Sequence, residues 1–121
     1  MDQHLHSVVV NIGTVSGTVV TPLWRVPVSD SAFGGVTLTA AYVQAGGTVT
    51  NELALTVGTA LGTASTGTIG TANATLTANV PKAFSITTAY VSSGSWVQLK
   101  TNAGGGTAAT TNVILEYKWG K

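Results

Sequence analysis

The sequence contains no cysteine and very little charge, and both absences narrow what the chain can be. Without cysteine it can form neither a disulfide framework nor a thiolate metal site. Only 7% of the 121 residues are charged, against about 25% in a typical domain, and the formal net charge is +1. Binding to nucleic acid needs clustered Lys and Arg, whereas the five basic residues here are scattered. We therefore expect no nucleic-acid partner.

Long apolar runs are also missing. No stretch approaches the roughly 18–20 uninterrupted apolar residues of a membrane helix. The first residues lack the basic region of a secretory signal peptide, and the apolar run that follows them is broken by Asn11, Gly13 and Thr14. We expect a protein that is made in the cytoplasm and does not enter a membrane.

What the chain has instead is threonine and glycine, 21 and 15 residues respectively. A chain of this length fits one domain. A surface with so few charges keeps an isolated monomer poorly soluble. The composition is therefore typical of a subunit that covers much of its surface in an assembly.

The pattern of hydrophobic residues predicts an all-β fold. Short β-branched runs end at Gly, Pro, Asn or Ser, and no segment has a helical period. About eight such runs in one domain favour an antiparallel β-sandwich of the jelly-roll kind. We assign residues 1–12 to an N-terminal arm or first strand and residues 13–121 to the sandwich. The candidate strands are 7–12, 18–28, 36–44, 48–57, 74–80, 84–91, 96–102 and 112–119.

Several of these runs carry more specific expectations. Pro22 and Pro27 make run 18–28 an edge strand or two short strands, because proline cannot donate to a ladder. Runs 36–44 and 48–57 flank Gly46-Gly47, which predicts a hairpin. Residues 58–71 are rich in small side chains, and we expect an ordered excursion there. Alternation places two sets of residues each on one face of its strand: Val36, Leu38, Ala40 and Tyr42, and Val113, Leu115, Tyr117 and Trp119, with Ile114 as the one apolar residue on the opposite face of the last strand.

The side chains that catalysis usually needs are scarce. The carboxylates, which form no close pair in the sequence, are Asp2, Asp30, Glu52 and Glu116. Both histidines lie at the N-terminus, where chains are poorly ordered. We expect no enzymatic activity and no cofactor.

His4 and His6 alternate, so a strand would point both to one side. Three such pairs on a trimer axis would offer an octahedral set of imidazoles to a transition metal, whereas the ordinary interpretation is solvated side chains. We expect no metal, with these two residues as the candidates if there is one. Trp24, Trp96 and Trp119 have two interpretations as well: packing in the core or at a subunit interface, or an exposed platform that stacks on sugar rings.

The closing part of the chain resembles a known group of proteins. Residues 94–100 (GSWVQLK), a Gly-rich loop and then residues 113–117 (VILEY) look like the end of jelly-roll virion proteins. With its low charge and lack of cysteine, the chain is similar to the capsid decoration and head-fibre proteins of tailed bacteriophages. It departs from them at Ser95, where those domains often carry an acidic residue.

The resemblance implies a non-enzymatic virion protein. Such a protein forms a homotrimer on the capsid exterior, binds the major capsid protein or another virion protein, and stabilises the shell. Residues 1–12 are the candidate docking segment, because a weakly charged, β-prone segment can add a strand to a neighbour. The binding or interface candidates are Val8, Val9, Val10, Trp24, Trp96 and Trp119. The alternative is a carbohydrate-binding or receptor-binding β-sandwich, as in a tail-fibre tip or a free-standing module.

Overall fold

The computed structural model of the chain describes residues 4–13, 19–28, 34–46, 53–58, 67–72, 76, 79–101 and 111–121. Within these ranges every element of regular structure is a β-strand. The described residues contain no helix that could cross a membrane. The described residues form ten strands: β1 (His6–Asn11), β2 (Val19–Arg25), β3 (Gly35–Ala45), β4 (Leu53–Gly58), β5 (Gly67–Ala72), β6 (Lys82–Ala83), β7 (Ser85–Ile86), β8 (Tyr90–Ser92), β9 (Trp96–Thr101) and β10 (Thr111–Trp119).

The strands make two antiparallel sheets that pack face to face. In the first sheet the order is β1-β10-β3, and the far side of β3 pairs with both β6 and β8. In the second sheet the order is β2-β9-β4-β5-β7. Strands β1 to β4 enter the two sheets alternately. β10 then lies between β1 and β3, and β9 lies between β2 and β4, so the fold is a jelly-roll-like sandwich. The expected all-β sandwich is confirmed, with ten described strands in place of about eight. β5 and β6 lie outside the predicted strands, run 84–91 contains both β7 and β8, and none of the described strands lies in run 74–80.

The core lies between the sheets and follows the predicted alternation most closely in β10. Val113 and Leu115 are fully buried, Tyr117 is nearly so, and Trp119 packs against the core. From the second sheet, Leu53, Leu55, Val97 and Leu99 close the core from the other side. Apolar burial of this kind stabilises the fold by about 25 cal/mol per Å².

A bulge in β3 reverses the alternation that the sequence predicts there. Ala40 and Leu38 lie opposite two successive residues of β10, so Thr39 is an extra residue. A β-bulge of this kind turns all later side chains to the other face. Val43 is therefore buried and Tyr42 lies on the outer face, so the expected shared face of Leu38 and Tyr42 is wrong.

The predicted hairpin between runs 36–44 and 48–57 is also wrong. β3 belongs to the first sheet and β4 to the second. Both edges of β3 are already occupied, one by β10 and the other by β6 and β8, so β4 has no edge left to pair with. β4 instead pairs with β9 and β5.

The predicted single strand over 84–91 is divided between the sheets. β6 pairs with β3, β7 pairs with β5, and β8 returns to β3. Phe84, only 6% exposed, lies at the first crossing, where its amide donates to the carbonyl of Ala41. At the second crossing the amides of Thr87 and Thr88 both donate to the carbonyl of Ile69. The segment from β6 to β8 thus joins the free edges of β3 and β5, and we call this the closed side of the sandwich.

Three further predictions fall partly outside the described residues. β2 contains Pro22 and is the edge strand of its sheet, as expected, with an irregular register between Pro22 and Trp24. The end of the excursion predicted at 58–71 is β5, whereas 59–66 lie outside the description. Of run 74–80, the structure describes Leu76, which is buried, and residues 79–80.

Candidate functional site

The two edge strands β1 and β2 lie on the same side of the sandwich, opposite the closed side. A side chain of each strand contacts the Tyr117 ring of β10. The His6 ring of β1 stacks on it with ring centroids 5.3 Å apart, and the Trp24 ring of β2 lies 4.7 Å from it. We call this the open side, because no described strand pairs with the outer edge of β1 or of β2.

Aromatic rings fill the space between the sheets at the open side. His6, Trp24 and Trp119 all contact Tyr117, the last edge-on with centroids 6.1 Å apart. We call these four residues the aromatic cluster. Burial raises the pKa of the Tyr117 phenol above its ordinary value. Since Trp24 and Trp119 pack against the core, these two candidates contribute to holding the sheets together.

The two histidines occupy different surroundings. His4 is exposed, whereas the His6 ring is stacked on Tyr117. Among the described residues there is no group of three or more His, Cys, Asp or Glu side chains that could hold a metal ion.

The three valines of the predicted docking segment lie in β1, which is paired along its length with β10. Val8 packs against the core and Val10 is half-buried. Val9 points outward and is 65% exposed. Of the three, Val9 is therefore the one that can contact a partner without unfolding the strand.

The hydrogen-bond phase of β1 shows which backbone groups face the open side. The amide of Ile12 donates to the carbonyl of Thr111 at 2.9 Å. Hydrogen-bonded pairs alternate in an antiparallel ladder, so every second residue before Ile12 is bonded to β10. The N–H and C=O groups of Ser7, Val9 and Asn11 therefore point away from β10. No described strand lies on that side of β1.

An apolar row crosses the outer face of the first sheet and ends at this edge. The strand register aligns Val9 with Ile114, Ile114 with Tyr42, and Tyr42 with Ala83. We call these four residues the outer apolar row. Polar side chains lie in the neighbouring rows on either side: Ser7 and Glu116 in one, Asn11, Asn112 and Gln44 in the other.

The edge of β2 differs from that of β1. Pro22 lacks an N–H, and the irregular register after it breaks the line of backbone groups. Arg25 is exposed at the end of the strand, where its Nε donates to the carbonyl of Gly94 at 3.3 Å. Proline, bulges and charge are the features that protect natural sheet edges from pairing. β1 carries none of them.

Trp96 is placed differently from the other two tryptophans. It alternates with the buried Val97 and so lies on the outer face of the second sheet, half-buried. Its neighbours in register are Arg25 on β2 and Gly58 on β4. Of the carboxylates that the sequence offers, only Glu116 lies within the described residues.

The sequence does not identify Tyr42 or Ala83 as members of the row. Alternation places Tyr42 on the same face as Leu38, because the bulge at Thr39 leaves no signal in the local pattern. Ala83 joins the row only through a pairing of distant segments. Ile114, in contrast, is recognisable as the one apolar residue on the polar face of β10.

No protein-family model, curated protein or solved structure matches the chain. Its function must therefore be inferred from its own surfaces. Among the described residues, a partner could use the outer apolar row with the β1 edge or the surface around Trp96.

Proposed function

We propose that the chain is a non-enzymatic structural protein of a virus particle, which binds the capsid exterior and reinforces it. The observation that carries this proposal is the outer apolar row, which runs across one sheet face to an unprotected edge strand. The partner is the major capsid protein or another virion protein. The sequence resemblance to phage decoration and head-fibre proteins supports the same assignment.

The physical properties of the row suit permanent coverage by another protein. Its members are uncharged, so covering them does not require the desolvation of an ion. Contiguous exposed apolar surface on a small domain is typical of an interaction site. Stable interfaces bury about 1,200–2,000 Å² in total, and many copies on one shell raise the effective affinity further.

The test is co-sedimentation of the purified protein with capsids of the virus that encodes it. Ile114→Lys places a charge at the middle of the row, and we expect it to weaken binding at least about tenfold because the ammonium must be desolvated. Val28→Lys is the matched control, since Val28 is 55% exposed and lies outside the row. Both variants are first compared with the wild type by thermal unfolding.

Saturable binding that is lost in Ile114→Lys and kept in Val28→Lys supports the proposal. Equal binding by both variants would show that the row is not the contact surface. Absence of binding by the wild type would contradict the capsid assignment itself.

Carbohydrate binding is the second candidate function, and the position of Trp96 favours it. A tryptophan on an outer sheet face beside a glycine can stack on a sugar ring. Quenching of tryptophan fluorescence by a glycan panel, lost in Trp96→Ala, would support this alternative. Quenching by no glycan would argue against it.

A further inference from the structure

We propose that β1 pairs in antiparallel fashion with β1 of a second copy of the chain, about a two-fold axis at Val9. The pairing is independent of any capsid and goes beyond the function proposed above. It rests on the unprotected edge of β1, the phase of its hydrogen bonds and the pattern of apolar and polar rows on the first sheet.

The backbone of β1 is ready to accept another strand. The hydrogen bond from Ile12 to Thr111 shows that every second residue before Ile12 is bonded to β10. The N–H and C=O groups of Ser7, Val9 and Asn11 therefore point away from β10 to the open side. Their side chains carry no charge, and the strand contains neither proline nor a bulge. An edge of this kind is a template for pairing with another chain.

The phase also restricts the register of a symmetric pair. Outward-directed residues must form the hydrogen-bonded pairs, so the axis passes through a residue of β1. An axis at Val8 or Val10 would join the outer apolar row of one copy to a polar row of the other. With the axis at Val9, the two Val9 residues face each other and Ser7 faces Asn11 of the second copy. The outer apolar row of one copy then continues into that of the other, which preserves apolar neighbours across the joint.

The extent of the pairing favours the same register. An axis at Val9 pairs all three outward-directed residues of β1 with outward-directed residues of the second copy. An axis at Ser7 or Asn11 would place two of the three opposite residues that lie outside β1.

The contact is small, which sets its expected strength. A single pair of short strands covers less than the roughly 1,200 Å² of a standard interface. We expect association that depends on concentration, with a dissociation constant of about 1 μM or weaker. An isologous contact joins two copies and then closes, so it predicts a dimer, whereas the homotrimer implied by the resemblance needs a different contact.

Cysteine cross-linking tests the register directly, because the chain has no cysteine of its own. Residues in a hydrogen-bonded antiparallel pair have Cα atoms about 5.5 Å apart, within the range of a disulfide. Val9→Cys should form a covalent dimer rapidly under mild oxidation. Ser7→Cys is the matched control, since the two Ser7 residues would lie about four residues apart along the paired strands, roughly 13 Å. Both positions are exposed.

Fast cross-linking of Val9→Cys with slow cross-linking of Ser7→Cys supports the proposal. The reverse order would overturn the Val9 axis, and equal slow rates in both variants would overturn specific pairing. Light scattering over a concentration series gives the independent check. The wild-type mass should rise towards twice 12.2 kDa, and a mass that stays at one chain or approaches three chains would contradict the two-fold pair.

Two substitutions at Val9 separate the backbone from the side chain. Val9→Pro removes an N–H that points away from β10, so β1 keeps its own ladder while the joint loses its central bonds. Val9→Lys leaves the backbone intact and brings two like charges together on the axis. Both should remain monomeric at concentrations where wild type and Val9→Thr associate. Association of a folded Val9→Lys equal to that of Val9→Thr would contradict the inference, even if Val9→Pro fails to fold.

Discussion

Tyr117 links the two sheets at the scale of a single residue. Its ring is nearly buried and contacts the rings of His6 on β1 and Trp24 on β2. This burial explains the raised pKa of its phenol, because removal from water disfavours the phenolate. The same side chain therefore connects sheet packing to the dependence of stability on pH.

The pKa of Tyr117 predicts a loss of stability at alkaline pH. The folded phenol holds its proton above the ordinary pKa of 10.0, whereas the unfolded chain ionises near that value. The stabilisation is therefore complete below about pH 10 and decreases as the pH rises through the folded pKa. Between about pH 8 and pH 11, the free energy of unfolding in urea should fall more for wild type than for Tyr117→Phe. Parallel pH profiles for the two proteins would contradict this account.

At the scale of strands, the close approach of β5 to β7 closes one side of the sandwich. A Cβ atom at Gly70 would lie 2.5 Å from the carbonyl oxygen of Ser85 and 3.0 Å from the Cα atom of Ile86. No side chain fits there unless β7 moves. Glycine at this position is therefore a requirement of packing between the two strands.

Gly70→Ala should consequently detach β7 from β5. We expect a decrease of about 1–3 kcal/mol in the free energy of unfolding, as for other overpacked sites. The control is Gly67→Ala in the same strand, where the nearest atom to an added Cβ is the Val57 Cγ1 atom at an ordinary 3.6 Å. That change should stay within about 0.5 kcal/mol. Similar urea midpoints for the two variants would contradict the packing argument.

The strands also show how far the sequence predicts this structure. Alternation in β10 identifies its inward face correctly, because the extra residue of the bulge lies in β3 and β10 alternates along its whole length. It fails in β3 after Thr39, since a bulge is set by the pairing with β10 and not by the local pattern. Gln98 alternates with buried Val97 and would be placed on a solvated face, yet it is fully buried.

The candidate site could be predicted in part for the same reason. Val9 lies in the segment that the sequence marks for docking, and Ile114 interrupts a polar face. Their neighbours in the row follow from the order β1-β10-β3-β6, which brings together residues from both ends and the middle of the chain. Pairing over such distances has no local signal in one sequence.

At the scale of the whole molecule, the two sides of the sandwich have opposite properties. A segment that crosses between the sheets closes one side, and Phe84 is buried there. On the other side, no described strand pairs with the outer edge of β1, and the outer apolar row ends at that edge. A small protein with little charge thereby presents one uncharged surface on which further protein can be added.

The most direct test of the central claim is to measure the chain in purified virus particles. Quantitative mass spectrometry gives its copy number per capsid, before and after digestion of the intact particles with an external protease. We predict a fixed, high copy number and loss of the chain on digestion, as expected of a protein on the exterior of the shell. Absence from the particles, or complete protection from the protease, would contradict the account.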